Sequence, residues 1–132
     1  MSDFSVYTAE QVADFMSQGT IETPPSELYI AVFDDTGTER SSDFGSGGRV
    51  STTAGTDWNI VGTGFENAND IDFGEATSDV TGLQDIALFD ASTGGNEIAR
   101  YALSGAPFDV SSGTTLAFPA GNITFDVVDR TE

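Results

Sequence analysis

Residues 85–103, DIALFDASTGGNEIARYAL, contain the pattern that says most about the architecture of this chain. Four consecutive apolar residues, 86–89, stand between two aspartates, and Ala99, Tyr101 and Leu103 then recur with a period of two. A loop rich in Gly and Asn, residues 91–96, separates the two runs, which is the pattern of a β-hairpin. Because the first strand has no polar face, we expect it to lie inside a sheet and to be covered on both sides. The predicted core residues of the hairpin are Ile86, Leu88, Tyr101 and Leu103.

The remainder of the chain is a series of short apolar or alternating runs, separated by turns rich in Gly, Asn and Pro. About eight such runs are recognisable, which is typical of sandwiches and barrels. We therefore predict an all-β protein, an antiparallel β-sandwich of the jelly-roll or Ig-like kind. A chain of 132 residues is long enough for one core and too short for two, so we expect a single domain over residues 1–132.

One short helix is predicted near the N-terminus, over residues 9–17. Thr8 and Gln11 have the spacing of a capping box, and Gly19 follows as a stop signal. An apolar stripe is expected on one face of this helix, because its members are spaced i, i+3 and i+4. The stripe consists of Val12, Phe15 and Met16. These residues are interface candidates, since the stripe must pack on the body of the protein or on a neighbouring subunit.

Acidic residues dominate the charge of the chain. There are 22 Asp and Glu against four arginines and no lysine, a formal net charge of −18. Such a composition is typical either of a disordered chain or of a folded protein adapted to molar salt, where repulsion among carboxylates is screened. Ten phenylalanines and clear strand patterns favour the folded, salt-adapted protein. Four arginines form no basic patch, so we expect no nucleic-acid partner. The absence of an 18-residue apolar run predicts no membrane span.

Most forms of enzyme catalysis are excluded by residue inventory. Without His, Cys or Lys there is no Ser–His triad, no Cys–His pair, no Schiff base and no zinc site of the usual kind. A catalytic pair of carboxylates stays formally open. With 22 acids, however, closeness of two carboxylates says little about function. We predict that the protein is not an enzyme and has no cofactor.

Two acidic runs have the oxygen ligands that structural Mg²⁺ or Ca²⁺ ions prefer. Neither run has the spacing of an EF-hand, so solvated loops are the favoured interpretation. The weak candidates for metal ligands are Asp34, Asp35, Glu39, Asp70 and Asp72.

Three aromatic residues and two arginines are further interaction candidates. Trp58, with Phe44 and Phe65, either forms an exposed platform for sugars or belongs to the core or a subunit contact, and the second interpretation is favoured. Arg49 and Arg100 are expected in ion pairs within or between subunits, because arginine forms bidentate pairs with carboxylates and is enriched at interfaces.

The order of several segments resembles a known protein family. The segments are LYIAVFDD (28–35), NANDIDFGEAT (67–77), IALFDASTGGN (86–96) and YALSGAPFDVSSGTTLAFPAGNITF (101–125). In this order and spacing the chain is similar to small virion proteins of tailed viruses and prophages, which are labelled tail fibre, minor structural or head-decoration proteins.

The resemblance implies a non-enzymatic β-sandwich located in the virion. The main expectation is a capsid vertex turret or decoration subunit that forms a cyclic homo-oligomer, a pentamer or trimer, and docks on the major capsid protein or other virion proteins. A tail or fibre-base subunit is the alternative. A carbohydrate-binding module that attaches to a host surface glycan is the alternative of another class. Together with the acidic surface, the resemblance suggests a tailed virus of a halophilic archaeon.

Overall fold

A computed structural model of the chain describes residues 3–19 and 24–126, which form mostly β-structure with a single short helix. In chain order the elements are β1 (Asp3–Phe4), α1 (Val6–Gln18), β2 (Glu27–Asp34), a 3₁₀ turn (Ser41–Asp43), β3 (Val50–Thr53), β4 (Trp58–Val61), β5 (Gly64–Asn67), β6 (Ile71–Glu75), β7 (Val80–Phe89), β8 (Glu97–Ala102), β9 (Phe108–Val110), β10 (Thr115–Phe118) and β11 (Thr124–Asp126). The predicted all-β class is confirmed.

Within the described residues the strands form three sheets, and every strand pairing there is antiparallel. The largest sheet has the order β1-β8-β7-β2-β3, with β9 also paired to β7. The smaller sheets are β10-β6 and β11-β5-β4, and together they provide the second layer of the sandwich. The structure has more strands than the eight predicted, because β1, β5 and β9 lie in segments whose patterns did not indicate a strand.

The predicted hairpin is the pair β7–β8, and β7 lies between β8 and β2. Asp90 closes its loop: the backbone N–H of Asn96 donates to Asp90 Oδ1 at 2.7 Å, and the Asn96 side-chain amide donates to Oδ2 at 3.0 Å. Gly95 has a φ of +71°, a backbone conformation that a residue with a Cβ rarely adopts. The hairpin prediction is confirmed, with Ile86, Leu88 and Leu103 buried and Tyr101 half-buried.

Alternation along β2 divides its side chains between two clusters on the two faces of the large sheet. Ile30 and Val32 belong to the main core, whereas Ala31 and Phe33 belong to a smaller cluster with Ala87 and Phe89 of β7. The main core also contains five side chains of the second layer: Ile71, Phe73, Leu116, Phe118 and Phe125. A fully buried side chain of this size contributes about 1.5–3 kcal/mol, so this core supplies most of the hydrophobic stabilisation.

Asn67 joins the segments of the second layer from a position with 1% exposure. Its side-chain N–H groups donate to the carbonyl oxygens of Asn69 and Pro119 at 2.8 and 3.0 Å. Its Oδ1 accepts from the backbone N–H of Ile123 at 2.8 Å, and its carbonyl oxygen accepts from Gly121. One side chain therefore holds the end of β5 to the loop between β10 and β11.

Helix α1 begins earlier than residues 9–17, so the predicted start is wrong. Ser5 is the N-cap, and its Oγ accepts from the backbone N–H of Thr8 at 3.2 Å. The Thr8 hydroxyl donates instead to the carbonyl oxygen of Ile98 in β8, at 2.9 Å. A hydroxyl residue at each of positions 5 and 8 offers two possible caps, and contact with β8 selects the earlier one. The predicted stop at Gly19 is confirmed, since its φ of +69° ends the helix.

Candidate interaction surfaces

The first exposed apolar surface is the stripe of α1, formed by Val12, Phe15 and Met16. These side chains are 48%, 58% and 79% exposed, although they are apolar. At about 100° per residue, Glu10 and Asp14 lie on the opposite side of the helix. The stripe is therefore an uncharged, solvent-exposed ridge on a strongly acidic protein.

The position of this ridge is fixed by the first turn of the helix. The backbone N–H of Ser5 and the hydroxyl of Thr8 both donate to the carbonyl oxygen of Ile98, at 3.0 and 2.9 Å. The helix therefore lies at the β1–β8 edge of the large sheet, with which it is in contact. No residue of α1 is buried, so this helix contributes surface rather than core.

The second exposed apolar surface is an open groove of about 730 Å³ between the start of β2, the turn after β3 and the β4–β5 hairpin. Ile60 and Val61 of β4 are 87% and 53% exposed beside it. Its lining contains no charged residue and consists of Leu28, Ala54, Gly55, Trp58, Asn59, Ile60, Gly62, Thr63, Gly64 and Phe65. We call this surface the Trp58 groove.

Trp58 is held in place as a wall of this groove. Its indole N–H donates to Thr52 Oγ1 at 2.9 Å, and the Thr52 hydroxyl donates to the carbonyl oxygen of Leu28 at 2.7 Å. The indole ring also packs edge-on against Phe65, with ring centroids 5.4 Å apart. This chain of contacts fixes the ring before any partner binds.

The alternative of an exposed aromatic platform made of Trp58, Phe44 and Phe65 is wrong for Phe44. Phe44 is 1% exposed and packs edge-on against Phe73, in the main core. It precedes a Gly/Ser-rich loop, and that polar context does not reveal that its own side chain is buried. Ile60 and Val61 were not predicted as surface residues, and their only signal in the sequence is a pair of apolar residues in a short hairpin.

Arg49 forms an ion pair within the chain, and its side chain is 7% exposed. The guanidinium donates to both carboxylate oxygens of Glu39, at 2.9 and 3.0 Å. A third nitrogen donates to the carbonyl oxygens of Ala91 and Gly94 at 2.9 Å each, so Arg49 holds the β7–β8 loop. Its Cζ atom lies 3.7 Å from the ring centroid of Phe89.

Arg100 forms a similar arrangement nearby. It pairs with Glu97 at 2.6 Å and with Asp85 at 3.7 Å, and its Cζ atom lies 3.9 Å from the ring centroid of Phe33. Phe33 and Phe89 stack on one another with centroids 6.1 Å apart. Two arginines and two aromatic rings therefore cover the outer face of the large sheet, with each arginine on its own ring.

The first acidic run serves turns and ion pairs. Asp34 accepts hydrogen bonds from the hydroxyl and N–H of Thr36, at 2.6 and 3.0 Å, and from the N–H of Thr38 at 3.0 Å. Together with Arg40, these donors lower the pKa of Asp34 to about 2. The Arg49 guanidinium lowers the pKa of Glu39 below its usual value. A carboxyl group with a lowered pKa stays ionised, so it suits an ion pair and does not suit a general acid.

The second acidic run also consists of turn caps. Asp70 accepts from the backbone N–H of Ala120 at 3.0 Å, and Asp72 accepts from that of Gly74 at 2.7 Å. The Asp35 side chain is exposed, and its backbone N–H donates to the carbonyl oxygen of Gly82. Among residues 3–19 and 24–126, no group of three or more acidic side chains has an arrangement that could hold a metal ion.

A known protein family matches most of this chain. Residues 3–126 match a family model described as Podophage GP4 fiber I protein gp80. The chain belongs to this family. It is therefore a structural protein of a tailed virus and a component of the virion, as the resemblance implied at that level. The fibre description agrees with the tail or fibre-base alternative better than with the expected capsid turret.

Two further findings concern curated relatives and membrane-spanning helices. No protein with a curated description matches the chain. Within the part of the chain that the structure describes, no helix has the length and apolarity needed to cross a bilayer.

Proposed function

We propose that this protein is a non-enzymatic subunit of a viral fibre or fibre base, and that it functions by assembling with other virion proteins. The observation that supports this most directly is the pair of uncharged apolar surfaces, the α1 stripe and the Trp58 groove, on a chain of net charge −18. Exposed apolar patches with polar surroundings are typical of protein–protein contacts.

Electrostatics explains why these two surfaces matter for assembly. Two copies with this charge repel one another, and neighbouring virion proteins with acidic surfaces repel them as well. A contact through the α1 stripe or the Trp58 groove brings no carboxylate of those surfaces against a partner. Each 100 Å² of apolar area buried there contributes about 2.5 kcal/mol, before the loss of motional freedom is subtracted.

The polar groups described above support a structural role. Arg49 pairs with Glu39, Arg100 pairs with Glu97, and Asp34 accepts hydrogen bonds from backbone N–H groups. Such groups rigidify the sheet and its loops. They offer no nucleophile, and the lowered pKa values of Asp34 and Glu39 do not suit a proton donor.

Mass spectrometry and immunogold labelling of purified particles test this proposal. We expect the chain in particles at a copy number that is a small multiple of the tail symmetry, with gold at the tail or fibre base. Gold at the capsid vertices would contradict the fibre role and indicate a capsid turret. Particles that lack the chain would refute a structural role in the virion.

A second candidate function is binding of a host surface glycan, and it rests on the fixed indole of Trp58 in the groove. Aromatic rings with neighbouring neutral polar groups, such as Asn59 and Thr63, suit sugar rings. A glycan array with the wild-type chain and Trp58→Ala tests it. Binding that disappears in the variant would support a receptor role, and an array without any bound glycan would refute it.

A further inference from the structure

We propose that the α1 stripe of one copy occupies the Trp58 groove of the next copy, so that subunits join head to tail. This inference rests on the proposed assembly role and goes further by naming the partner surface. Both surfaces belong to the same chain, both are apolar, and both are exposed in it.

The stripe and the groove are formed by different elements of the chain. The helix contacts β1 and β8, whereas the groove is lined by the start of β2, the turn after β3 and the β4–β5 hairpin. They are therefore two different surfaces of one subunit. A contact between two different surfaces is heterologous, and its repetition produces a closed ring or an open filament.

Charge favours this pairing over other contacts between copies. The groove lining has no charged side chain, and Glu10 and Asp14 lie on the helix side away from the stripe. Docking the stripe in the groove therefore buries no carboxylate on either side. Most other surfaces of a chain with 22 acidic residues would bring acids together.

Size also agrees with the pairing. The groove has a volume of about 730 Å³, within the range that accommodates several side chains. Phe15 and Met16 are the most exposed members of the stripe, and an aromatic ring beside a flexible thioether fits an irregular apolar wall such as that of Trp58 and Phe65. We infer that Phe15 is the central anchor of the contact.

Sedimentation of the purified chain in about 0.1 M and about 3 M NaCl tests the inference. We expect oligomers in the higher salt, and Phe15→Asp and Ile60→Asp should each weaken self-association by about 30-fold or more, because a hot-spot position then buries a charge. Ser17→Asp on the acidic side of the helix and Ser104→Asp after β8 are matched controls that should keep assembly. A wild-type chain that stays monomeric in both salts would overturn the inference.

Mixing the two interface variants separates a head-to-tail contact from a symmetric one. Phe15→Asp keeps an intact groove and Ile60→Asp keeps an intact helix, so an equal mixture should form 1:1 heterodimers and nothing larger. If helices paired with helices, Ile60→Asp alone would assemble normally, and the inference would be wrong.

Cysteine cross-linking gives a second readout, because the chain contains no cysteine. The double variant Met16→Cys/Ile60→Cys should form a ladder of disulfide-linked copies under mild oxidation. Met16→Cys alone should remain monomeric, and Ser17→Cys/Ile60→Cys is the matched control without a ladder. A disulfide-linked dimer of Met16→Cys alone, or no ladder from the double variant, would overturn the pairing. Detection of the chain in virions is a separate result, so failure here leaves the fibre role intact.

Discussion

Replacing Asn67 with leucine tests how the second layer of the sandwich is held together. The substitution keeps the approximate size of the side chain but removes both its donors and its acceptor. The buried N–H of Ile123 then has no acceptor, which costs about 1–3 kcal/mol. The two well-formed bonds to the carbonyl oxygens of Asn69 and Pro119 are also lost, at about 1 kcal/mol each. Because Pro119 retains the N–H of Asn122 as a donor, we expect a total loss of about 3–4 kcal/mol.

Urea unfolding at constant high salt measures this loss, since urea leaves the ionic strength unchanged. For a chain of this size the same loss lowers Tm by about 10–15 °C. Asn69→Leu is the matched control, because its side chain is exposed and bonds only to the exposed carboxylate of Asp57 among the contacts described, at 2.8 Å. The control should stay within about 1 kcal/mol of the wild type. A loss below about 1 kcal/mol for Asn67→Leu would refute the role assigned to this residue.

Three further predictions concern charge. Arg49→Gln should lower the free energy of unfolding, measured in urea, by about 2–4 kcal/mol, because Glu39 and two carbonyl oxygens lose a nearly buried donor. An unchanged free energy of unfolding would contradict the role of Arg49 in holding the loop. The pKa of Asp34 is lowered to about 2 from 3.8, so its stabilisation is complete above about pH 4 and is lost as the pH falls through 2. The Tm difference between wild type and Asp34→Asn should therefore shrink as the pH falls from about 4 to about 2. A constant Tm difference would argue against this stabilisation by the Asp34 carboxylate. Finally, Tm should fall when NaCl is reduced from about 3 M to about 0.1 M, whereas a flat Tm would count against salt adaptation.

The β7–β8 hairpin could be predicted because its signals are local. Residues 86–89 are apolar on both faces, and the Gly/Asn loop that follows leaves few alternatives. The start of α1 could not be predicted with the same accuracy, because Ser5 and Thr8 both suit an N-cap. The choice depends on the carbonyl oxygen of Ile98, which is 90 residues further along the chain from Thr8.

The interaction surfaces depend on long-range contacts in the same way. The Trp58 groove combines Leu28, Ala54 and the β4–β5 hairpin, and only strand pairing brings them together. The exposed stripe of α1 was predicted as a stripe, but helical spacing does not reveal whether such a stripe is covered. Phe44 is the opposite case, because its neighbours in sequence are polar although its own side chain is buried.

Because Arg49 lies on the ring of Phe89 and Arg100 on that of Phe33, the NMR chemical shifts of both arginine side chains report on these contacts. A guanidinium carbon 3.7 or 3.9 Å above a ring centroid places the nearby protons within the shielding cone of that ring. The chain has only four arginines and no lysine, so side-chain signals from cationic groups are few in its NMR spectrum. Two upfield-shifted arginine resonances would therefore report separately on two ends of one stacked face, and each would move to its random-coil position when its own end opens.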